Sequence, residues 1–254
     1  MTCHLHGLSV LVTRPRGQSD ALCELIEQAH GRPVRFPVME IVPPGDPDAA
    51  AKVLARAASA DLLLFVSANA VKHAFPRLPE ILPAETAVAA VGRATARALE
   101  EAGLEPDLVP EGRFDSEGLL ALPQLQEMAG KRVIIGRGEG GRETLRETLQ
   151  ARGAEVAYAE VYRRRCAERS AANLVAHWEA LVEVATATSV AILDCLWRLL
   201  GEAGQAKLKE TPLVVLSGRI ADRARELGCR RVVVTRQAGD RAILESLCEL
   251  AEGA

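Results

Sequence analysis

Arginine, hydroxyl and glycine residues recur at the points where the sequence predicts that buried strands end. In parallel α/β sheets these turns meet at one edge, where each following helix presents free backbone N–H groups. A single arginine in such a turn is ordinarily a solvated surface residue, but the recurrence favours a binding site for a large polyanion. The residues that we single out as ligand-binding candidates are Thr13, Arg14, Ser67, Asn69, Gly92, Thr95, Ser116, Arg137, Ser189, Ser217, Gly218 and Arg219.

One of these turns also matches a nucleotide-binding motif. The segment Gly136–Gly141 fits G-x-G-x-x-G, follows a predicted strand and opens a predicted helix, and Glu160 stands roughly where a ribose-binding acid is expected. The segment Thr13–Gln18, which resembles it elsewhere in the chain, has no glycine at the three glycine positions of the motif. A nucleotide-dependent oxidoreductase that uses Gly136–Gly141 is therefore an alternative hypothesis.

The other reactive side chains form no recognisable catalytic set. We find no Ser-His-Asp arrangement, no paired carboxylates and no second ligand cluster that would complete a metal site with Cys3, His4 and His6. We therefore expect no metal and no cofactor. This composition suits a reaction that depends on orientation more than on acid–base power.

Short apolar runs alternate with amphipathic helical patterns along the whole chain, which predicts an α/β fold with mainly parallel sheets. Helices are predicted to begin near Asp20, Ala94, Glu143 and Ile220. The predicted strands are Ser9–Thr13, Val34–Val38, Leu62–Ser67, Ala87–Val91, Asp107–Pro110, Arg132–Gly136, Glu155–Tyr158, Val184–Thr188, Leu213–Ser217 and Arg231–Thr235.

The chain contains an internal duplication. Ser9–Pro43 resembles Arg132–Arg163, and Ala87–Gly103 resembles Leu213–Gly228. The repeats predict two related, flavodoxin-like (doubly wound) domains. These domains could follow one another in tandem, or one could be inserted into the other.

Composition and charge exclude several classes of partner. The 254 residues are 48% hydrophobic but only 3% aromatic, and the formal net charge is −3, so neither nucleic acid nor an anionic membrane is an expected partner. No segment reads as a signal peptide or a membrane span, and we expect a cytoplasmic protein whose six cysteines are reduced thiols.

Five segments together resemble the uroporphyrinogen-III synthase family over nearly the whole chain. They are VLVTRPRGQSDAL, LLLFVSANAV, AAVGRATARALEEAG, RVIIGRGEGGRETLRETLQARGAEV and EVYRR, in this order. The resemblance implies the inserted arrangement, with residues 1–38 and 167–254 in one domain and residues 42–163 in the other. Residues 39–45 and 160–166 would be the two linker strands, and the active site would lie in the inter-domain cleft.

The resemblance also implies an activity, that of a cyclising lyase of haem biosynthesis. The substrate would be hydroxymethylbilane, a linear tetrapyrrole with eight carboxylates, with hydroxymethylbilane synthase as a partner that could hand it over. Loss of the ring A hydroxyl would give an azafulvene, and ring D would be inverted through a spiro intermediate to give uroporphyrinogen III. The family's linker tyrosine corresponds to Tyr162, the candidate catalytic residue, and its hydroxyl-bearing turns to Ser67, Thr95, Ser189 and Ser217.

We expect a monomer, because the duplicated domains would already supply both walls of the cleft. A two-lobed protein that binds an anionic solute without catalysis is the third hypothesis.

Overall fold

A computed structural model describes residues 3–252 of the chain. The strands are β1 (Ser9–Val12), β2 (Arg32–Arg35), β3 (Met39–Val42), β4 (Leu62–Phe65), β5 (Ala87–Ala90), β6 (Arg132–Gly138), β7 (Glu155–Cys166), β8 (Val184–Ala187), β9 (Leu213–Val215) and β10 (Val232–Val234). The helices are α1 (Asp20–Gln28), α2 (Pro47–Ala55), α3 (Ala68–Ala74), α4 (Arg93–Glu101), α5 (Ser116–Leu120), α6 (Thr144–Ala151), α7 (Ala172–Ala176), α8 (Trp178–Leu181), α9 (Val190–Glu210), α10 (Gly218–Glu226) and α11 (Asp240–Glu252). Gly201 has φ of 59° and interrupts α9.

The chain divides into two compact units. Unit 1 contains the residues up to Glu40 and those from Arg165 onward, and unit 2 contains Ile41–Arg164. Each unit has its own five-stranded sheet, of order β10-β9-β8-β1-β2 in unit 1 and β3-β7-β6-β4-β5 in unit 2. The predicted α/β class with two parallel-sheet domains is confirmed.

Four of the five strands in each sheet repeat one topology, as the sequence duplication predicts, whereas the fifth strand lies beside β9 in unit 1 (β10) and beside β7 in unit 2 (β3). In unit 1, β1 pairs in parallel with β2 on one side and β8 on the other, and β8 pairs with β9. In unit 2, β6 pairs in parallel with β7 and β4, and β4 pairs with β5. If the five strands of unit 1 are numbered 1 to 5 along the chain, their order across the sheet is 2-1-3-4-5. This is the order of flavodoxin-like folds, which bind ligands at the carboxyl ends of their strands.

Each sheet is covered on both faces, which explains why its strands are continuous apolar runs rather than alternating ones. In β4, Leu62 and Leu64 pack into one apolar cluster while Leu63 and Phe65 pack into the cluster on the opposite face. β1 is divided in the same way between two clusters of unit 1. This burial holds the strand ends, and the turns that follow them, in fixed positions.

Most predicted strands differ from the observed ones by one or two residues at an end, and three differ in a more informative way. The segment Asp107–Pro110 makes a single bridge, between Leu108 and Ala89, and the strand predicted to start at Val34 lies at Arg32–Arg35. The regular ladder ends there because Pro37, which has no N–H, follows. The strand predicted to end at Tyr158 continues to Cys166, since β7 has β3 as its second neighbour.

The expectation of six reduced cysteines is wrong for four of them. Cys3 is bonded to Cys248 and Cys166 to Cys195, with Cα–Cα distances of 5.7 and 5.3 Å. The partners stand 245 and 29 residues apart in the sequence, so their spacing carries no signal of the pairing. Cys23 and Cys229 are buried free thiols whose pKa values are raised by burial.

Between residues 3 and 252, no helix is long and apolar enough to cross a bilayer. Over the same residues, no group of three or more His, Cys, Asp or Glu side chains is arranged to hold a metal ion.

Candidate functional site

A polar pocket opens at the carboxyl end of the sheet in unit 2. Its volume is about 360 Å³, and it combines apolar strand residues with arginines and with the backbone of a glycine-rich turn. The lining residues are Val66, Val91, Phe114, Asp115, Ser116, Ile135, Arg137, Gly138, Gly140, Gly141, Arg142, Leu145, Tyr158, Tyr162 and Arg164. Three of the predicted site residues, Ser116, Arg137 and Tyr162, are therefore brought together here.

A bulge in β7 sets the direction of the Tyr162 side chain. The register of β6 and β7 shifts between Arg137, which pairs with Glu160, and Gly138, which pairs with Tyr162. Val161 and Tyr162 consequently pack into the same apolar cluster, although consecutive residues of a regular strand point to opposite faces. Bulges of this kind re-aim side chains next to functional sites.

The Tyr162 ring is buried, with 2% of its surface exposed, and its phenol oxygen lies between two polar side chains. The oxygen is 3.1 Å from Ser67 Oγ and 3.2 Å from Arg164 Nη2. The His73 ring lies 5.7 Å from the tyrosine ring, centroid to centroid, and burial lowers the pKa of this histidine. A buried, hydrogen-bonded phenol at the wall of a pocket is suited to exchange a proton with a bound ligand.

The glycines of the G-x-G-x-x-G match have structural reasons unrelated to a nucleotide. A Cβ atom at Gly136 would lie 2.7 Å from the Phe65 ring, and one at Gly138 would lie 2.6 Å from the Tyr162 ring. Gly141 has φ of 108°, a conformation that side chains disfavour. Because β6 runs through Gly138 before the chain turns, the motif does not form the tight strand-to-helix turn of a dinucleotide site.

Arg137 uses its guanidinium to hold the turn that follows it. The side chain is 6% exposed and donates to the carbonyls of Gly138 (3.2 Å), Gly140 and Arg142 (3.4 Å) and to the Glu143 carboxylate (3.1 Å). These donors are therefore committed within the protein. Arg137 fixes the glycine-rich wall of the pocket rather than offering a free cation to a ligand.

Tyr158 packs its ring against the Arg137 guanidinium. Its ring contacts two guanidinium groups, with Arg137 Cζ 4.2 Å and Arg146 Cζ 3.6 Å from the ring centroid. Burial raises the pKa of Tyr158, and its hydroxyl is buried without a hydrogen-bond partner among the described residues. Tyr158 therefore contributes packing and cation–π contacts, in contrast to the hydrogen-bonded Tyr162.

The other predicted site residues of unit 2 stand at helix starts on the same sheet edge. Ser67 is the N-cap of α3, where its Oγ accepts from Ala70 N at 3.1 Å, and Asn69 lies half-buried in the first turn. Gly92 is the N-cap of α4, and the buried Thr95 lies in its first turn.

In unit 1, the side chains of Thr13 and Arg14 bind other residues of the protein. The Thr13 hydroxyl is fully buried and donates to the Thr186 carbonyl at 2.7 Å, while the Thr186 hydroxyl donates to the Leu11 carbonyl at 2.9 Å. Arg14 forms an ion pair with Asp240 at 2.5 Å. Thr13 thereby joins β1 to β8 instead of presenting its hydroxyl to a ligand.

The remaining candidate residues of unit 1 lie at the starts of helices, as those of unit 2 do. Ser189 caps α9 by accepting from Ile192 N at 3.1 Å, with φ and ψ of −155° and 159°, close to the −166° and 158° of Ser67. Ser217 is the N-cap residue of α10, and its side chain makes no capping hydrogen bond to the described residues of that helix. Gly218 and Arg219 follow it and are exposed.

Sequence reasoning missed Arg164 and a second pocket. Arg164 stands two residues after Tyr162 in β7, and this period-two spacing could have placed it on the same face. The second pocket, of about 350 Å³, lies at the start of α1 in unit 1, where Arg35 is paired with Asp20 at 2.5 Å. Its lining residues are Arg16, Gly17, Ser19, Asp20, Arg35, Pro37 and Arg169.

Fold and site together define an α/β protein of two duplicated parallel-sheet units, with cationic and hydroxyl groups at the strand ends. A family model described as uroporphyrinogen-III synthase HemD matches residues 20–245. The uroporphyrinogen-III synthase of Escherichia coli K12 is 36% identical over 252 residues, which is 94% of this chain and 100% of that protein. The chain belongs to the uroporphyrinogen-III synthase family.

Solved structures agree with this assignment at the level of the fold. A crystal structure of a mutant uroporphyrinogen III synthase from the extremely thermophilic bacterium Thermus thermophilus has a TM-score of 0.57 at 21% identity, over 97% of this chain and 100% of that one. The synthetase from Helicobacter pylori 26695 has a TM-score of 0.59 at 15% identity, over 96% and 99% of the two chains.

Proposed function

We propose that this protein converts hydroxymethylbilane to uroporphyrinogen III, with inversion of ring D and loss of water. Family membership over nearly the whole chain supports the reaction class, that of a cyclising lyase. The observation that carries the proposed mechanism is the Tyr162 phenol, held between Ser67 and Arg164 at the pocket wall of unit 2.

Tyr162 acts as the general acid in this proposal. Departure of the ring A hydroxyl requires a proton on the leaving oxygen, and a phenol at the pocket wall can supply it. The azafulvene that remains is attacked by ring D through its substituted carbon, and the resulting spiro intermediate fragments and closes again with the ring reversed. The protein's contribution to these later steps is to hold a flexible chain in a curled shape, which is catalysis by orientation.

Substrate carboxylates are bound, in this proposal, by the helix starts. Ser189 uses a lone pair to cap a helix, which leaves its hydroxyl proton for a substrate carboxylate, whereas the hydroxyl of the equivalent Ser67 faces the Tyr162 phenol. Backbone N–H groups at the starts of α4 and α10, beside Gly92 and Gly218, add donors of the kind that bind anions. Arg137 contributes indirectly, because it holds the turn that lines the pocket.

The activity is tested by the isomer formed from hydroxymethylbilane, which a deaminase generates in the same reaction. We expect the type III isomer after oxidation, whereas spontaneous closure gives type I. Formation of type I alone in the presence of folded protein would contradict the proposal and favour the non-catalytic binder. Saturable binding of NAD(P)H, which the geometry of β6 argues against, would favour the oxidoreductase.

The role of Tyr162 is tested by Tyr162→Phe. Removal of a general acid lowers rates about a hundredfold or more. We expect a loss of this size in kcat with the fold retained in circular dichroism, because the ring still fills its buried position. Tyr158→Phe is the matched control, since the Tyr158 hydroxyl has no hydrogen-bond partner within the described part of the chain. Equal rates for the two variants would reduce Tyr162 to a packing residue.

A further inference from the structure

The hydrogen bonds at Tyr162 differ in which atom can donate. A guanidinium has donors only, so the bond of 3.2 Å must run from Arg164 Nη2 to the phenol oxygen. Ser67 Oγ already accepts from Ala70 N at 3.1 Å, which leaves its own proton free to point at the phenol oxygen 3.1 Å away. The Tyr162 oxygen can therefore accept two hydrogen bonds while its own proton points elsewhere.

Within the described part of the chain, the charge on Arg164 has no counter-ion. Among residues 3–252, no carboxylate lies within 4 Å of its guanidinium nitrogens, whereas the next residue, Arg165, contacts Glu40 at 3.2 Å and Glu168 at 3.3 Å. Arg164 instead lies beside the tyrosine ring, with Cζ 5.6 Å from the ring centroid, and lines the same pocket. The positive charge of this exposed arginine therefore lies next to the Tyr162 phenol, which would become negative by giving up a proton.

We propose that Arg164 and Ser67 are positioning residues that stabilise the phenolate of Tyr162 during the first chemical step. This inference rests on the proposed function, in which Tyr162 is the acid. The Tyr162 O–H bond breaks as the proton moves to the leaving hydroxyl, and the C–O bond breaks with its electron pair on that oxygen, which leaves as water. The cationic ring A then returns its N–H proton to the phenolate, which yields the neutral azafulvene and restores the phenol.

Two donors preorganised around an oxygen on which charge develops act as an oxyanion hole acts on a carbonyl. Hydrogen bonds to a charged acceptor are roughly twice as strong as neutral ones, so the pair favours the state in which the proton has left. When Ser67 donates to the phenol oxygen, neither neighbour accepts the phenol proton, because Arg164 has no acceptor atom. The result is a tyrosine whose proton is directed to the pocket.

The chain allows an unusually clean test, because Tyr158 and Tyr162 are its only tyrosines. In a Tyr158→Phe background, a tyrosine labelled with ¹³C at Cζ gives one resonance, which reports hydrogen bonding at Tyr162. Arg164→Gln is expected to shift this resonance and to lower kcat roughly ten- to a hundredfold with little change in KM, as for the loss of a charge-assisted donor. Arg163→Gln is the matched change at a neighbouring arginine, which is exposed like Arg164 but does not line the pocket, and it is expected to change neither.

Rescue separates a chemical role from a structural one. Replacing Tyr162 with 3-fluorotyrosine in the same background gives a more acidic phenol, which depends less on its donors for proton release. We expect fluorotyrosine to restore part of the kcat lost in Arg164→Gln.

Ser67→Gly removes the hydroxyl at a position where glycine is tolerated as an N-cap. We expect a smaller loss of kcat, which 3-fluorotyrosine at position 162 restores in the same way.

The possible failures can be told apart. If Tyr162→Phe retains the full rate, both the proposed acid and this inference are wrong. If Tyr162→Phe is slow but Arg164→Gln keeps its kcat, only the inference is overturned. A rise in KM at constant kcat would assign Arg164 to carboxylate binding and also overturn it, as would a loss of kcat that fluorotyrosine does not relieve. Arg164→Lys, which keeps the charge and a donor, should lie between wild type and Arg164→Gln.

Discussion

The ring of Tyr162 packs directly against the backbone of Gly138, so closely that a Cβ atom at position 138 would lie 2.6 Å from the ring and 3.0 Å from its hydroxyl oxygen. These two residues also face each other in the β6–β7 ladder, at the point where the register shifts. The glycine is therefore required by the tyrosine and not by a bound nucleotide. The position of the phenol depends on the absence of a side chain one strand away.

Gly138→Ala is expected to displace the phenol from its hydrogen-bond partners. A methyl group at 2.6 Å forces the buried ring to move, at a cost of about 1–3 kcal/mol in the free energy of unfolding. We expect kcat to fall at least tenfold. A double-mutant cycle with Tyr162→Phe provides the control: if displacement of the hydroxyl causes the loss, Gly138→Ala should reduce kcat far less in the Phe background. Equal losses in both backgrounds would contradict this.

Arg137→Met is expected to destabilise unit 2. The guanidinium is 6% exposed, and its removal leaves turn carbonyls and the Glu143 carboxylate without their donor. We expect a decrease of about 2–3 kcal/mol in the free energy of unfolding, measured by urea denaturation. Arg142→Met is the matched control, because Arg142 is 69% exposed in its pair with Glu117 and should cost less than about 1 kcal/mol. Similar costs for the two variants would show that Arg137 does not fix the turn.

The disulfides predict a thiol count and a response to reductant. The denatured, unreduced protein should expose two reactive thiols, Cys23 and Cys229, out of six. Replacing both Cys166 and Cys195 with Ala opens a crosslink that spans 29 residues, for which the chain-entropy estimate is about 3–4 kcal/mol. We expect a lower thermal midpoint that no longer responds to reductant at this pair. Six reactive thiols in the untreated protein would contradict both pairings.

Much of the fold was predictable because it depends on local patterns. The apolar runs of β1, β4, β6 and β8 identify buried parallel strands, and the duplication predicts the topology that four strands of each unit share. The segment Asp107–Pro110 was not a full strand, because only Leu108 reaches a partner. The cysteine pairs were not predictable, because residues 245 positions apart are brought together only by tertiary folding.

The sequence predicts where the candidate site residues lie along the fold, but not which partners their hydrogen-bond donors bind. Turn residues such as Ser67 and Ser189 do lie at helix starts, as their spacing after strands predicts. Thr13 and Arg137 fit the same pattern, yet their donors are directed to Thr186 and to the following turn. The bulge that aims Tyr162 also left no mark in the sequence, since it arises from the pairing of β7 with β6.

Asp61→Asn is expected to lower stability at neutral pH but not in acid. The Asp61 carboxylate accepts from the backbone N–H of Arg132 at 2.8 Å, at the start of β6, and lies 3.4 Å from the Lys131 ammonium. The backbone hydrogen bond, followed by the lysine, lowers the pKa of Asp61. A carboxyl group whose pKa is lowered by folding adds stability above its unfolded pKa, and this stability is lost as pH falls through the folded value.

The asparagine of the Asp61→Asn variant keeps an acceptor but no charge. The deficit should be at most about 1 kcal/mol near pH 7 and should vanish towards about pH 2. Unfolding by urea across this range measures it, with Glu127→Gln, at an exposed carboxylate, as the control. A deficit that is constant with pH would mean that the charge on Asp61 contributes nothing to the connection between β4 and β6.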